Sequence, residues 1–148
     1  AFELVADSSH RPDLGEPWAV LKMYYTTWSR ARIEALHSKY DELGIESPYS
    51  QDWFTRPSQD DRITTRVEIG EYHQVRAAAL KAHATQVDPE SPFWFGLPDE
   101  AARDAYPWDD YILARSLVPT STPESDLFAG VRDHLEGAAE VIVLSDGV

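Results

Sequence analysis

Residues 76–86 (RAAALKAHATQ) constrain this chain more than any other stretch, because they write a helix and set a histidine and a glutamine into it. At 100° per residue, Tyr72, Val75, Ala79, His83 and Gln86 fall within about 80° of one another, so the polar pair shares the stripe predicted to face a core. A buried polar group without a partner costs roughly 1 to 3 kcal/mol. His83 and Gln86 are therefore expected either to tie down the core through hydrogen bonds or to line a site.

The rest of the chain alternates regular runs with turn-rich segments. Residues 1–7 (AFELVAD) read as the last turns of a helix with no capping residue before it, so the chain looks cut at its start. Residues 8–17 form a loop, and 18–25 (WAVLKMYY) a strand covered on both faces, with Lys22 as its one charged member. After Thr26 and Thr27, either of which can cap, Ile33, Leu36, Tyr40 and Leu43 repeat at helical spacing until Gly44 supplies a stop. Residues 45–61 are a loop carrying Tyr49, Trp53 and Phe54; these rings either pin it to the body or shape a substrate mouth.

Residues 63–69 (ITTRVEI) and 111–118 (YILARSLV) read as strands, 99–105 as a short helical turn, 126–135 as a helix and 141–144 as a final strand or tail. On 63–69, Arg66 shares a face with Thr64 and Glu68, which favours a cross-strand ion pair. The order predicts an α/β sheet with covering helices, and its connections are long enough for right-handed parallel crossovers.

With 148 residues the chain suits a single domain. Its 26 acidic against 13 basic residues give a net charge of −13, which argues against nucleic acid or an anionic membrane as a partner. No apolar run approaches the roughly 18 to 20 residues of a membrane span, and no signal-peptide pattern opens the chain, so a cytoplasmic location is expected. The absence of cysteine excludes disulfides and thiolate chemistry. His10, His37, His73, His83 and His134 are scattered without metal-ligand spacing, so no metal site is expected within this chain.

Four blocks, residues 15–25 (GEPWAVLKMYY), 64–68 (TTRVE), Arg76 with 79–89 (ALKAHATQVDP), and 126–130 (DLFAG), together resemble the C-terminal half of mycothiol S-conjugate amidases. These belong to the LmbE-like (PIG-L) zinc deacetylases. The resemblance covers residues 1–131, as the C-terminal part of one deacetylase domain, and leaves 132–148 as an extension or tail. It implies the C-terminal half of a Rossmann-like α/β fold and a zinc-dependent amidase that releases a mercapturic acid from a thiol conjugate of a glucosaminyl-inositol, a detoxification reaction. In such chemistry zinc acidifies a bound water and polarises the amide carbonyl while a carboxylate takes the proton.

The family's zinc-binding His-Pro-Asp-Asp and His-Pro-Asp-His segments do not occur in this chain. The resemblance implies that both lie upstream of Ala1, in an N-terminal half that would be its partner, and that this chain alone is inactive. No catalytic role falls on any residue here. Arg66, His83 and Gln86 match family blocks and are expected to bind substrate or support the site from behind; the aromatic residues 49–54 and 93–95 are candidates to cover an apolar thiol adduct. Two alternatives stand beside this reading: a deacetylase of mycothiol or antibiotic biosynthesis, and a non-catalytic half-domain binding a sugar or a partner chain.

Overall fold

Among the described residues, runs of β-branched and aromatic residues produce four strands: β1 (Lys22–Thr27), β2 (Thr65–Glu68), β3 (Trp108–Ser116) and β4 (Val141–Ser145). The computed structural model describes residues 2–134 and 141–145. The strands form a sheet ordered β2-β3-β1-β4. β1 and β4 run parallel, but β3 is antiparallel to both β1 and β2, so the expectation of parallel crossovers holds for one pair only. The reason lies between β2 and β3. Glu68 pairs with Trp108 and the Ile69 amide donates to the Pro107 carbonyl at 2.8 Å, so the two strands meet as a hairpin whose tip carries all the intervening helices.

The helix α1 (Arg30–Glu42) follows β1. Its free N-terminal amides are satisfied twice over: Ser29 Oγ accepts from Arg32 N at 3.1 Å, and the Asp60 carboxylate accepts from Arg30 N at 2.7 Å and Ala31 N at 3.2 Å. Ser29, and neither Thr26 nor Thr27, is thus the cap. Ile33 and Tyr40 bury the predicted stripe, and Gly44 ends the helix at φ 66°, a conformation that glycine takes without strain. The aromatic loop contains a short helix, α2 (Gln51–Thr55). Beyond β2 come α3 (His73–Ala82), α4 (Pro92–Phe95) and α5 (Asp99–Ala105). Tyr40, Tyr49, Ile33 and Leu97 form the main apolar cluster, flanked by Trp28, Trp53 and Phe93.

The opening stripe does not face this core. Tyr72 and Val75 are 63% and 64% exposed, and Ala79, His83 and Gln86 are exposed too. α3 packs instead through its opposite side, where His73, Arg76, Ala77 and Leu80 are half-buried. The pattern misled because two polar residues, His73 and Arg76, hold the inward positions that periodicity alone assigns to apolar ones. The helix also stops at Ala82: His83 leaves helical geometry at ψ 47°, and its carbonyl accepts from Gln86 N and Val87 N in a turn. Near the end of the chain, the predicted helix over 126–135 is reduced to α6 (Val131–His134), because Asp126 caps a turn at Phe128 N and Gly130 turns the chain at φ 74°. Leu135 and much of the tail over 132–148 lie outside the described residues.

One buried ion pair ties the loop after β3 to the sheet. Lys22 on β1 is fully buried, and its Nζ lies 2.5 Å from Glu124 Oε1 and donates to the Ala129 carbonyl at 3.1 Å. Tyr24 Oη and Thr65 Oγ1 donate to Glu124 Oε2 at 2.7 and 3.0 Å. The Glu124 backbone meanwhile bridges β2, its amide donating to Thr64 O and its carbonyl accepting from Arg66 N. Both carboxylate oxygens and the ammonium are therefore partnered. Removing one charge leaves the other buried and uncompensated, so Glu124→Gln is expected to cost about 3 to 5 kcal/mol in urea unfolding, whereas the double replacement Lys22→Met with Glu124→Gln, which keeps an acceptor for Tyr24 and Thr65, recovers part of it. A cost under about 1 kcal/mol for the single change would refute this role.

Candidate functional site

Consecutive aspartates on β3 send two acids to two different places. Side chains of a strand alternate faces, so Asp109 and Asp110 cannot serve the same partners. Asp110 is 2% exposed; its Oδ2 accepts from Ser29 Oγ at 2.5 Å and Tyr106 Oη at 2.7 Å, and its Oδ1 from Arg66 Nε at 2.8 Å. Arg66 and Asp110 are direct register partners, which is the cross-strand ion pair expected for Arg66. That contact raises the Arg66 pKa, since the hydrogen bond to the carboxylate favours the charged guanidinium. On the other face, Asp109 Oδ1 lies 3.2 Å from Arg32 Nη1 of α1 and 3.2 Å from Arg76 Nη2 of α3.

Aromatic rings wall off the space beside these groups. Trp28, which follows β1, stacks on Phe93 with centroids 5.5 Å apart and planes 16° apart, and meets Trp94 edge-on at 5.7 Å. Tyr49 packs edge-on against Trp53 and Phe93. The helix α4 holds Phe93 and Trp94 in place because Gly96 lets it approach α1: a Cβ there would sit 2.5 Å from Tyr40 Oη, which itself donates to Pro92 O at 2.8 Å. Two cavities result. The larger, about 530 Å³, lies at the end of β1 and is lined by Thr26, Thr27, Trp28, Arg30, Trp53 and Trp94, among others. The smaller, about 80 Å³, is lined by Trp28, Arg32, Tyr49, His73, Arg76 and Phe93, among others. Trp28, Phe93 and Trp94 belong to both.

Electrostatics in the smaller cavity reflect burial and crowded cations. Burial, followed by repulsion from Arg76, lowers the His73 pKa. Arg76 is lowered by burial and then by Arg32, while Tyr49 is pushed up by burial to about 12.

The three residues singled out from the sequence are not brought together. Arg66 sits on β2 against Asp110, whereas His83 and Gln86 lie on the exposed turn after α3, linked to each other only by a backbone hydrogen bond. The aromatic residues of 49–54 and 93–95 do converge, both pinning their loops and walling the cavities. Sequence reasoning missed Trp28, Arg32, Asp109 and Asp110. The acidic pair at the start of an apolar β run (WDDYIL) was the available signal, since a strand must place one of two adjacent acids on each face. Among the described residues no group of three or more His, Asp or Glu side chains can hold a metal ion, so the donors present do not fit a zinc site. No helix among them is long and apolar enough to cross a membrane.

Comparison by sequence finds curated relatives among amidases and deacetylases. The chain is 45% identical over 141 residues to a mycothiol S-conjugate amidase of Streptomyces coelicolor, an alignment covering 90% of this chain and 47% of that protein. It is 34% identical over 140 residues to a 1D-myo-inositol 2-acetamido-2-deoxy-alpha-D-glucopyranoside deacetylase of Streptomyces avermitilis (88% and 45% covered). A deacetylase 1 of the same name from Frankia alni is 32% identical over 142 residues (88% and 48%). Its similarity to these amidases and deacetylases supports a fragment of the LmbE-like family, and the chain spans about half the length of the curated relatives it matches. No family model and no solved structure matches the chain.

The buried phenols set an alkaline limit on stability. Tyr24, Tyr49, Tyr106 and Tyr111 all have pKa values raised chiefly by burial. In the unfolded chain they ionise near 10.0, so this stability is complete below pH 10 and is lost as pH rises towards about 12, where Tyr49 titrates in the fold. Urea midpoints measured from pH 9 upwards should fall over that window, and Tyr49→Phe should fall less steeply.

Proposed function

We propose that this chain forms the substrate-covering part of a zinc-dependent amidase that cleaves the glucosaminyl amide of mycothiol S-conjugates and releases a mercapturic acid, a cytoplasmic thiol-detoxification activity. The aromatic-walled cavity of about 530 Å³ carries this reading. A deacetylase handles only an acetyl group, whereas a thiol conjugate brings an apolar adduct of variable size that needs a large, ring-lined chamber. The higher identity to the conjugate amidase, 45% against 34% and 32%, points the same way.

In this proposal the zinc ligands and the general base belong to an N-terminal half of a Rossmann-like fold, and residues 1–131 complete the same domain. The exposed side of α3 around Val75, with Tyr72 just before the helix and His83 and Gln86 on the turn after it, offers that half a mixed apolar and polar face, so His83 and Gln86 reach the site only when it is present. Arg66 supports the site from behind through Asp110, whose other contacts fix Ser29 and Tyr106.

The test uses the complete protein. Loaded with zinc, it should release mercapturic acid from a bimane conjugate of mycothiol faster than acetate from the N-acetylglucosaminyl-inositol. Trp53→Ala should raise KM for the bimane conjugate while leaving the acetylated sugar nearly unaffected, and His83→Ala should lower turnover about tenfold with little change in stability. Faster acetate release would favour the deacetylase, and a zinc-free, inactive complete protein would favour the binding half-domain.

A further inference from the structure

Two guanidiniums share one carboxylate on the wall of the smaller cavity. Arg32 Nη1 and Arg76 Nη2 both contact the same oxygen of Asp109, so the cluster carries one unmatched positive charge. Arg32 is only 7% exposed, its guanidinium lies over the Trp28 ring at 4.7 Å, and among the described residues its buried Nε has no hydrogen-bond partner. A second polar atom, His73 Nδ1, is also buried and unpartnered, and His73 lines the same cavity. Buried donors are almost always paired, and two guanidiniums sharing one acid repel each other, so a further anion beside them is favoured.

We infer that Arg32 and Arg76 form a subsite for a monoanionic carboxylate, either a free acid or the terminal group of a larger apolar ligand. This goes beyond the amidase reading and does not depend on it. Charge favours a monoanion: two arginines less Asp109 leave one positive charge at the guanidiniums, and Asp99, which also lines the cavity, weakens that field enough to disfavour a dianion. Shape selects the ligand as well. A planar carboxylate matches the guanidinium fork, and about 80 Å³ suits such a group with a short stem. The stem would lie against Trp28, Tyr49 and Phe93, so an aryl or alkyl acid fits better than a sugar acid.

Titrating the complete protein with benzoate, acetate, neutral benzamide and inorganic phosphate, followed by calorimetry and by NMR of the His73 ring, tests the assignment. Benzoate should bind with a Kd on the order of 1 mM, benzamide at least about tenfold more weakly, and acetate between them. Bound benzoate should also raise the His73 titration midpoint, since a neighbouring anion favours the imidazolium; Arg76, Arg32, Arg103 and Asp99 are the other charges acting on it. Arg76→Gln should weaken benzoate about tenfold or more, and Arg76→Lys less. Equal binding of benzoate and benzamide, tighter binding of phosphate, or no binding because water alone fills the cavity would each overturn the proposal. If Arg76→Gln fails to fold, a wild-type His73 midpoint unmoved by saturating benzoate overturns it equally.

Discussion

The Lys22–Glu124 pair is the constraint on which the rest of the fold depends. Lys22 lies on β1, beside both β3 and β4, and Glu124 lies on the return loop whose backbone also pairs with β2. One carboxylate thus joins the sheet to a segment with little regular structure of its own. An ion pair in an apolar setting gains little net stability over a hydrophobic pair, but a misplaced loop would strand both charges. Its contribution is therefore to exclude other arrangements. With Glu124 fixed, Thr64 and Arg66 are held in register, and Arg66 meets Asp110.

From that register follows the division of labour on β3. Asp110 gathers Ser29, Tyr106 and Arg66, joining the N-terminal cap of α1 to the sheet, while Asp109 collects Arg32 and Arg76 from two helices. The first set is saturated with partners and reads as scaffold. The second is short of one negative charge and faces a cavity, so the same dipeptide supports both the frame and the feature that departs from it.

Much of the scaffold was legible in the sequence. The stripe of Ile33, Leu36 and Tyr40, the Gly44 stop and the β-branched run around Arg66 all declare themselves locally, and the ion pair of Arg66 followed from its strand position. Strand direction did not, because whether β3 returns parallel or antiparallel depends on where α3, α4 and α5 deliver the chain. α3 failed more instructively. Its apolar-looking side is exposed and its cations turn inward, a reversal that periodicity cannot detect when the buried partner is a carboxylate on a distant strand. The family was legible through its sequence blocks, and the cavities were not, since they arise from rings of residues 28, 53 and 93–94 meeting across the fold.

Trp28, Phe93 and Trp94 stand between two chambers as a party wall. The Trp28 ring stacks on Phe93 and also carries the Arg32 guanidinium, so the wall is tied to the charged cluster as well as to the other rings. The two chambers share one boundary, so a substitution in any of these three rings redraws both at once.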